Sequence, residues 1–267
     1  MKNSTDDLDS LLDRMEALYE AEDLEQLKRE VRRALKLYPG APEPMEWEAI
    51  VAADEERFEE ALRILDQVLA ADPLRPLAAR ERAQVLTELW RFEEARDQLL
   101  RLLDPLPDEW TREDEADARF ELGSLLDRQG DPKGALREFE KAAKLDPEDF
   151  SVPPCMAAEE FTAAVTKAVD SIPRELAPYL LQVTVVVEDY PPRDAPSPSI
   201  LGLYSGLPRT ERSHDDRDHL DTVFIFKRIH ELMCLEPAEL REEIRKTVIH
   251  EIAHHFGLGE EDMGEYE

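Results

Sequence analysis

Apolar residues in the first 150 positions recur at helical spacing in short blocks, and each block closes on a proline. The blocks repeat. RFEEALRILDQVLAADP from Arg57 superposes on RFEEARDQLLRLLDPLP from Arg91 at an offset of 34 residues. The same offset carries Leu24 to Phe58 and Phe92, and Pro39 to Pro73 and Pro107. A fourth copy, DPKGALREFEKAAKLDP, ends at Pro147, 40 residues after Pro107, so the loop from Asp108 to Asp114 is expected to absorb about six inserted residues. Each unit reads as two amphipathic helices. The second stops at the proline because the ring cannot continue a helix and disfavours helical backbone in the residue before it. Ala61, Ala95 and Ala135 recur where paired helices must approach closely, which is a packing requirement.

After Phe150 this period ends at SVPPC, where Pro153 and Pro154 mark a junction between two domains, residues 1–150 and 151–267. A different grammar follows. Residues 157–180 read as helix interrupted at Pro173, and LQVTVVVED from Leu181 is a β-branched run typical of a strand. PPRDAPSPS is a loop. ILGLY from Ile200 and TVFIF from Thr222 are two further short strands, separated by a polar stretch from Arg209 to Asp221. One long helix is then expected from Pro237, preorganised for a first turn, to Gly257. The predicted fold is an α-helical repeat solenoid followed by a small α+β domain.

The last helix carries the chemistry. Ile249, Ile252, Ala253 and Phe256 follow the spacing of a buried stripe, which leaves His250, Glu251 and His254 on an adjacent face. Histidines four apart stand one turn above one another, so both imidazoles can reach one ion. Glu251 falls beside that row, where a carboxylate can face a metal-bound water without occupying the metal. Gly257, three residues after His254, can turn the chain back through a left-handed conformation and bring an acidic residue of the following loop, Glu260, to the same ion. Glu261 and Asp262 follow at once and remain alternatives. His255 points about 100° away and suits burial or a supporting hydrogen bond rather than ligation. HDDRDH, from His214 to His219, mimics a metal cluster in composition but sits in a polar loop without helical spacing. His230 has no partner legible in the sequence.

Charge narrows the partners. The 63 acidic residues against 33 basic ones give a net charge of -30, with 22 basic and 40 acidic in residues 1–150 (-18) and 11 and 23 in the remainder (-12). Such a surface repels a phosphate backbone, so nucleic acid is not an expected partner. The sequence has neither a membrane-spanning apolar run nor a basic-then-apolar leader, which predicts a cytoplasmic protein without a membrane role. Cys155 and Cys234 lie outside any Cys-x-x-Cys spacing and are expected to be buried, reduced thiols.

Two resemblances sharpen this reading. The period and prolines resemble tetratricopeptide repeats, and the fourth unit places Leu122, Gly123, Ala135, Phe139, Ala142 and Pro147 at that family's small, aromatic and terminating positions. HEIAHHFGLGE resembles the HExxHxxGxx pattern of metzincin-type zincins, whose third ligand is usually His or Asp. The stretch from VTVVVEDYPP through ILGLYSGLPRTER to REEIRKTVIHEIAHHFGLGEED is similar to the small bacterial zincin-like metallopeptidases, a resemblance covering roughly residues 157–265. That resemblance implies zinc bound by His250 and His254, Glu251 as catalytic base, and Glu260 in the place usually held by Asp. It also implies a peptide laid along an exposed edge strand, here Ile200 to Tyr204. The expected function is a zinc-dependent peptidase acting on peptides or proteins, with the repeats recruiting substrate or a partner protein. The alternative is a non-catalytic, repeat-based adaptor with a vestigial or structural metal site.

Overall fold

The computed structural model describes residues 7–108, 110–172, 180, 183–207 and 221–258. The chain divides into two compact units, Met1–Asp149 and Phe150–Glu267. Among the described residues the first unit contains eight helices: α1 Leu8–Glu20, α2 Leu24–Leu37, α3 Pro42–Asp54, α4 Phe58–Ala71, α5 Pro76–Glu88, α6 Phe92–Leu103, α7 Arg112–Arg128 and α8 Pro132–Leu145. Proline opens α3, α5 and α8. Asp7, Asp23 and Asp131 accept N–H groups that the first turns of α1, α2 and α8 leave unpaired.

Within each repeat the turn between its two helices needs one left-handed residue, and the repeat period places it. Glu22, Glu56, Trp90 and Gly130 have φ of 56°, 57°, 59° and 81°. Only the fourth is glycine; an L residue there costs about 1–2 kcal/mol, which the packed helix pair must outweigh. Ala61, Ala95 and Ala135 are buried as expected. In the fourth repeat a Cβ added to Gly123 would lie 2.6 Å from the Phe139 ring, so glycine is what lets α7 and α8 close together. The longer α6–α7 connection is pinned by Trp110, which is buried and donates its indole N–H to the Leu74 carbonyl at 2.8 Å.

The second unit is built from α9 Ala158–Asp170, β1 Val183–Glu188, β2 Gly202–Ser205, β3 Asp221–Phe226, α10 Lys227–Met233 and α11 Pro237–His255. Its sheet has the order β1-β3-β2, with β1 parallel and β2 antiparallel to β3. Strand β2 is therefore an edge, its Gly202 paired with Ile225 and its Tyr204 with Val223. Phe161 and Val165 of α9, Val223 and Ile225 of β3, and Leu240, Ile244, Val248 and Ile252 of α11 make the core. Full burial of each such side chain contributes about 1.5–3 kcal/mol.

Three sequence expectations are corrected here. Of the expected stripe on α11, Ile252 and Ala253 are buried and Phe256 packs against the core, but Ile249 is only half-buried; the main buried row runs through Leu240, Ile244, Val248 and Ile252, because β3 and α9 meet the helix along that i, i+4 row. A short helix, α10, precedes α11. Seven residues give too little periodicity to read from sequence, and the helix is fixed by tertiary partners: buried Glu231 binds Lys227 at 2.8 Å and Arg228, and accepts the Met156 N–H at 2.7 Å. Cys155 is exposed, and only Cys234 is buried, its thiol raised to about 11 by burial.

Two buried groups predict opposite pH trends in the two units. Glu121 of α7 is pushed up to about 8 by burial, reinforced by Glu81 and Asp117 and opposed by Arg80. The folded carboxyl keeps its proton where the unfolded chain has lost it, so its contribution is full below the ordinary glutamate pKa and is lost as pH rises through about 8. His230 of α10 is held below the ordinary histidine value by burial. The unfolded chain takes up that proton first, so stability is lost as pH falls below about 6.5. Melting measured from about pH 5 to about 8.5 should show both trends, and Glu121→Gln and His230→Gln should each flatten one of them. A pH profile left unchanged by either substitution would contradict that assignment.

Candidate metal centre

Helical spacing on α11 brings His250 and His254 together: their Nε2 atoms lie 3.2 Å apart and their rings cross at 88°. Two nitrogens bound to one tetrahedral zinc at its usual bond length are separated by roughly 3.3 Å. The pair matches one edge of such a shell. His254 donates its Nδ1–H to the carbonyl of Leu258 at 3.1 Å, which leaves the Nε2 lone pair facing His250. That carbonyl is in reach because Gly257, at φ 82°, reverses the chain and lets the Leu258 N–H close on Ala253 O. The same C-terminal turn thus ends the helix and fixes a tautomer.

Glu251 is 7% exposed and lies against β2. A Cβ built on Gly202 would fall 2.6 Å from Glu251 Cγ and 2.8 Å from its Oε1. Its neighbour one turn earlier, Thr247, is bonded through Oγ1 to His230 Nε2 at 3.0 Å, while His230 Nδ1–H donates to Phe226 O at 2.8 Å. His230 is therefore a neutral bridge from α10 to the chemistry-bearing turn of α11. His255 is also buried, and its Nδ1 meets Asp221 Oδ2 of β3 at 2.6 Å. Its ring stands edge-on to Tyr204 of β2.

The structure brings together His250, Glu251 and His254. Glu260, its alternatives Glu261 and Asp262, and the run His214 to His219 lie outside the described residues. Among the described residues no group of three His, Cys, Asp or Glu side chains is placed to hold a metal. The sequence reading missed Gly202, Thr247, His230 and Asp221 as neighbours of the site. One signal was present: in GLYSG the strand period puts Gly202, Tyr204 and Gly206 on one face, small residues on either side of a large one.

Residues 180–267 match the family described as Zincin-like metallopeptidase, and residues 52–112 and 116–149 match Tetratricopeptide repeat families. The chain joins tetratricopeptide repeats to a zincin-like metallopeptidase domain. The zincin-like match takes in all three strands, α10 and α11, whereas α9 precedes it. That family implies zinc as the metal. A search of curated proteins found no match.

Solved structures similar to the chain include pilF of Pseudomonas aeruginosa, 22% identical with a TM-score of 0.47, matched over 60% of this chain and 66% of that one, just under two thirds of its length. MamA of Desulfovibrio magneticus RS-1 is 18% identical with a TM-score of 0.41, over 63% and 88% of the two chains. A tetratricopeptide repeat protein from Parabacteroides merdae is 16% identical with a TM-score of 0.41, over 61% and 59%. Among the described residues no helix is long and apolar enough to cross a membrane.

Proposed function

We propose that the zincin-like domain is a zinc peptidase in which His250 and His254 hold the metal and Glu251 is the general base. The observation that carries this reading is the convergence of the two Nε2 atoms at 3.2 Å with a buried Glu251 between them in sequence and set against the edge strand. Bound zinc would supply a positive charge to polarise a peptide carbonyl and would acidify water toward neutral pH. The protein's own groups do the rest. The bond from His254 Nδ1–H to Leu258 O orients the ring so that Nε2 is the atom offered to the metal. A carboxylate oxygen of Glu251 would take the proton of the attacking water and deliver it to the departing amine nitrogen. Burial of Glu251 keeps bulk water from competing for that oxygen.

Glu260 completes the proposed ligand set, since Gly257 has already reversed the chain toward the histidines. Glu260→Ala should therefore weaken zinc binding far more than Glu261→Ala or Asp262→Ala, read by competitive titration with a chelator. Equal losses, or the largest loss at Asp262, would reassign the third ligand. The repeats, with a balance of -18 over residues 1–150, are proposed to recruit a basic peptide or protein segment to the peptidase. The reading as a whole is tested by zinc analysis and peptide-library digestion of wild type beside Glu251→Gln. Cleavage that does not depend on Glu251 would overturn it.

A further inference from the structure

Gly202 stands at a point where α11 and the edge strand β2 touch with no room between them. A Cβ there would lie 2.6 Å from Glu251 Cγ, 2.8 Å from Glu251 Oε1 and 2.9 Å from Thr247 Cγ2. Neither neighbour can give way cheaply. Thr247 is β-branched, so its χ1 is restricted on a helix, and its hydroxyl is bonded to His230 Nε2 at 3.0 Å. His230 is in turn tied to Phe226 O at 2.8 Å, so turning Thr247 away would break a buried hydrogen bond. In Glu251 the closest atom is Cγ, in the middle of a side chain that is itself buried, rather than the carboxylate at its end. The strand cannot retreat either, since Gly202 pairs with Ile225 and the Phe226 N–H closes on Leu201 O at 2.9 Å.

We infer that Gly202 is a positioning residue for the general base: the bare backbone of β2 at this position is the wall that fixes where the Glu251 carboxylate stands, with the His230–Thr247 bond holding the helix turn behind it. The inference rests on the peptidase reading for its functional half, while the contact itself is independent of any activity. The alternation along GLYSG supports it. Gly206, directly after β2, makes the corresponding room for the Asp221 carboxylate and the Tyr204 hydroxyl, so this segment is shaped to the polar groups of the site at two points.

The test has two readouts on the full-length protein. The first is a double-mutant cycle in thermal stability between Gly202→Ala and Glu251→Ala. Removing Cγ and the carboxylate should relieve most of the clash, so Gly202→Ala should lower the melting temperature in the wild-type background and lower it much less beside Glu251→Ala. The second is kinetic. Gly202→Ala should retain zinc as in wild type and lower kcat on the order of 100-fold, with KM changed less than about 3-fold, because a base displaced by about 1 Å loses its geometry while peptide binding does not. If Gly202→Ala alone fails to fold but the double variant folds, the contact is upheld by that rescue. Additive melting shifts, failure of both variants to fold, or an unchanged kcat would overturn the proposal. Strong coupling in stability, in a protein whose peptide hydrolysis does not depend on Glu251, would instead overturn the peptidase reading and leave the contact standing.

Discussion

Glu251→Gln is expected to lower kcat/KM for peptide hydrolysis by about 100- to 10,000-fold, the range a positioned acid–base group supplies. That corresponds to about 3–5 kcal/mol of barrier at roughly 1.4 kcal/mol per tenfold. Glutamine has the same length and shape, so it fills the space against Gly202 and Thr247 that Glu251 fills and should leave the domain's stability nearly unchanged. It cannot take up a proton at the oxygen where the water must lose one. Because Glu251 lies off the row of His250 and His254, the zinc content should stay that of wild type. Zinc analysis and steady-state kinetics on one preparation check both halves. Hydrolysis within about threefold of wild type would remove Glu251 from the role of base. Loss of zinc together with activity would make it a ligand instead.

His250→Ala and His254→Ala are each expected to strip the zinc, weakening its binding by more than about 100-fold, beyond what disturbing an outer partner of a ligand does. Each removes one of the two nitrogens whose 3.2 Å separation matches an edge of the proposed coordination shell. The surviving imidazole and one carboxylate are too few donors for a stable site. His255→Ala is the informative comparison. That ring is turned toward Asp221 of β3 and away from the pair, so its loss should cost stability while zinc remains. Metal content by elemental analysis after dialysis, alongside melting curves, separates the outcomes. Full zinc occupancy in either the His250 or the His254 variant would refute the ligand assignment.

The features legible in the sequence are those fixed by neighbours along the chain. A 34-residue period with a proline at each close specifies helix pairs, because the proline stops a helix wherever the chain later goes. β-branched residues marked β1 and β3, and the short apolar run ILGLY marked β2. A spacing of four on a helix obliges His250 and His254 to share a face, and Gly257 signals the reversal after them. None of this needs a tertiary contact.

The order β1-β3-β2, with β2 on the edge beside Glu251, was decided only by the folded structure, since which strand pairs with which depends on the packing of whole elements. Short α10 exists because buried Glu231 and His230 find partners on other segments. The same holds for His255 with Asp221, and for Gly202 with Glu251, residues 49 positions apart that pack so closely that a Cβ on the glycine would lie 2.6 Å from Glu251 Cγ. Spacing along a chain can place two imidazoles on one face of a helix. It cannot say how closely a distant strand will approach that helix, because that distance is set by the volumes of all the side chains packed between them.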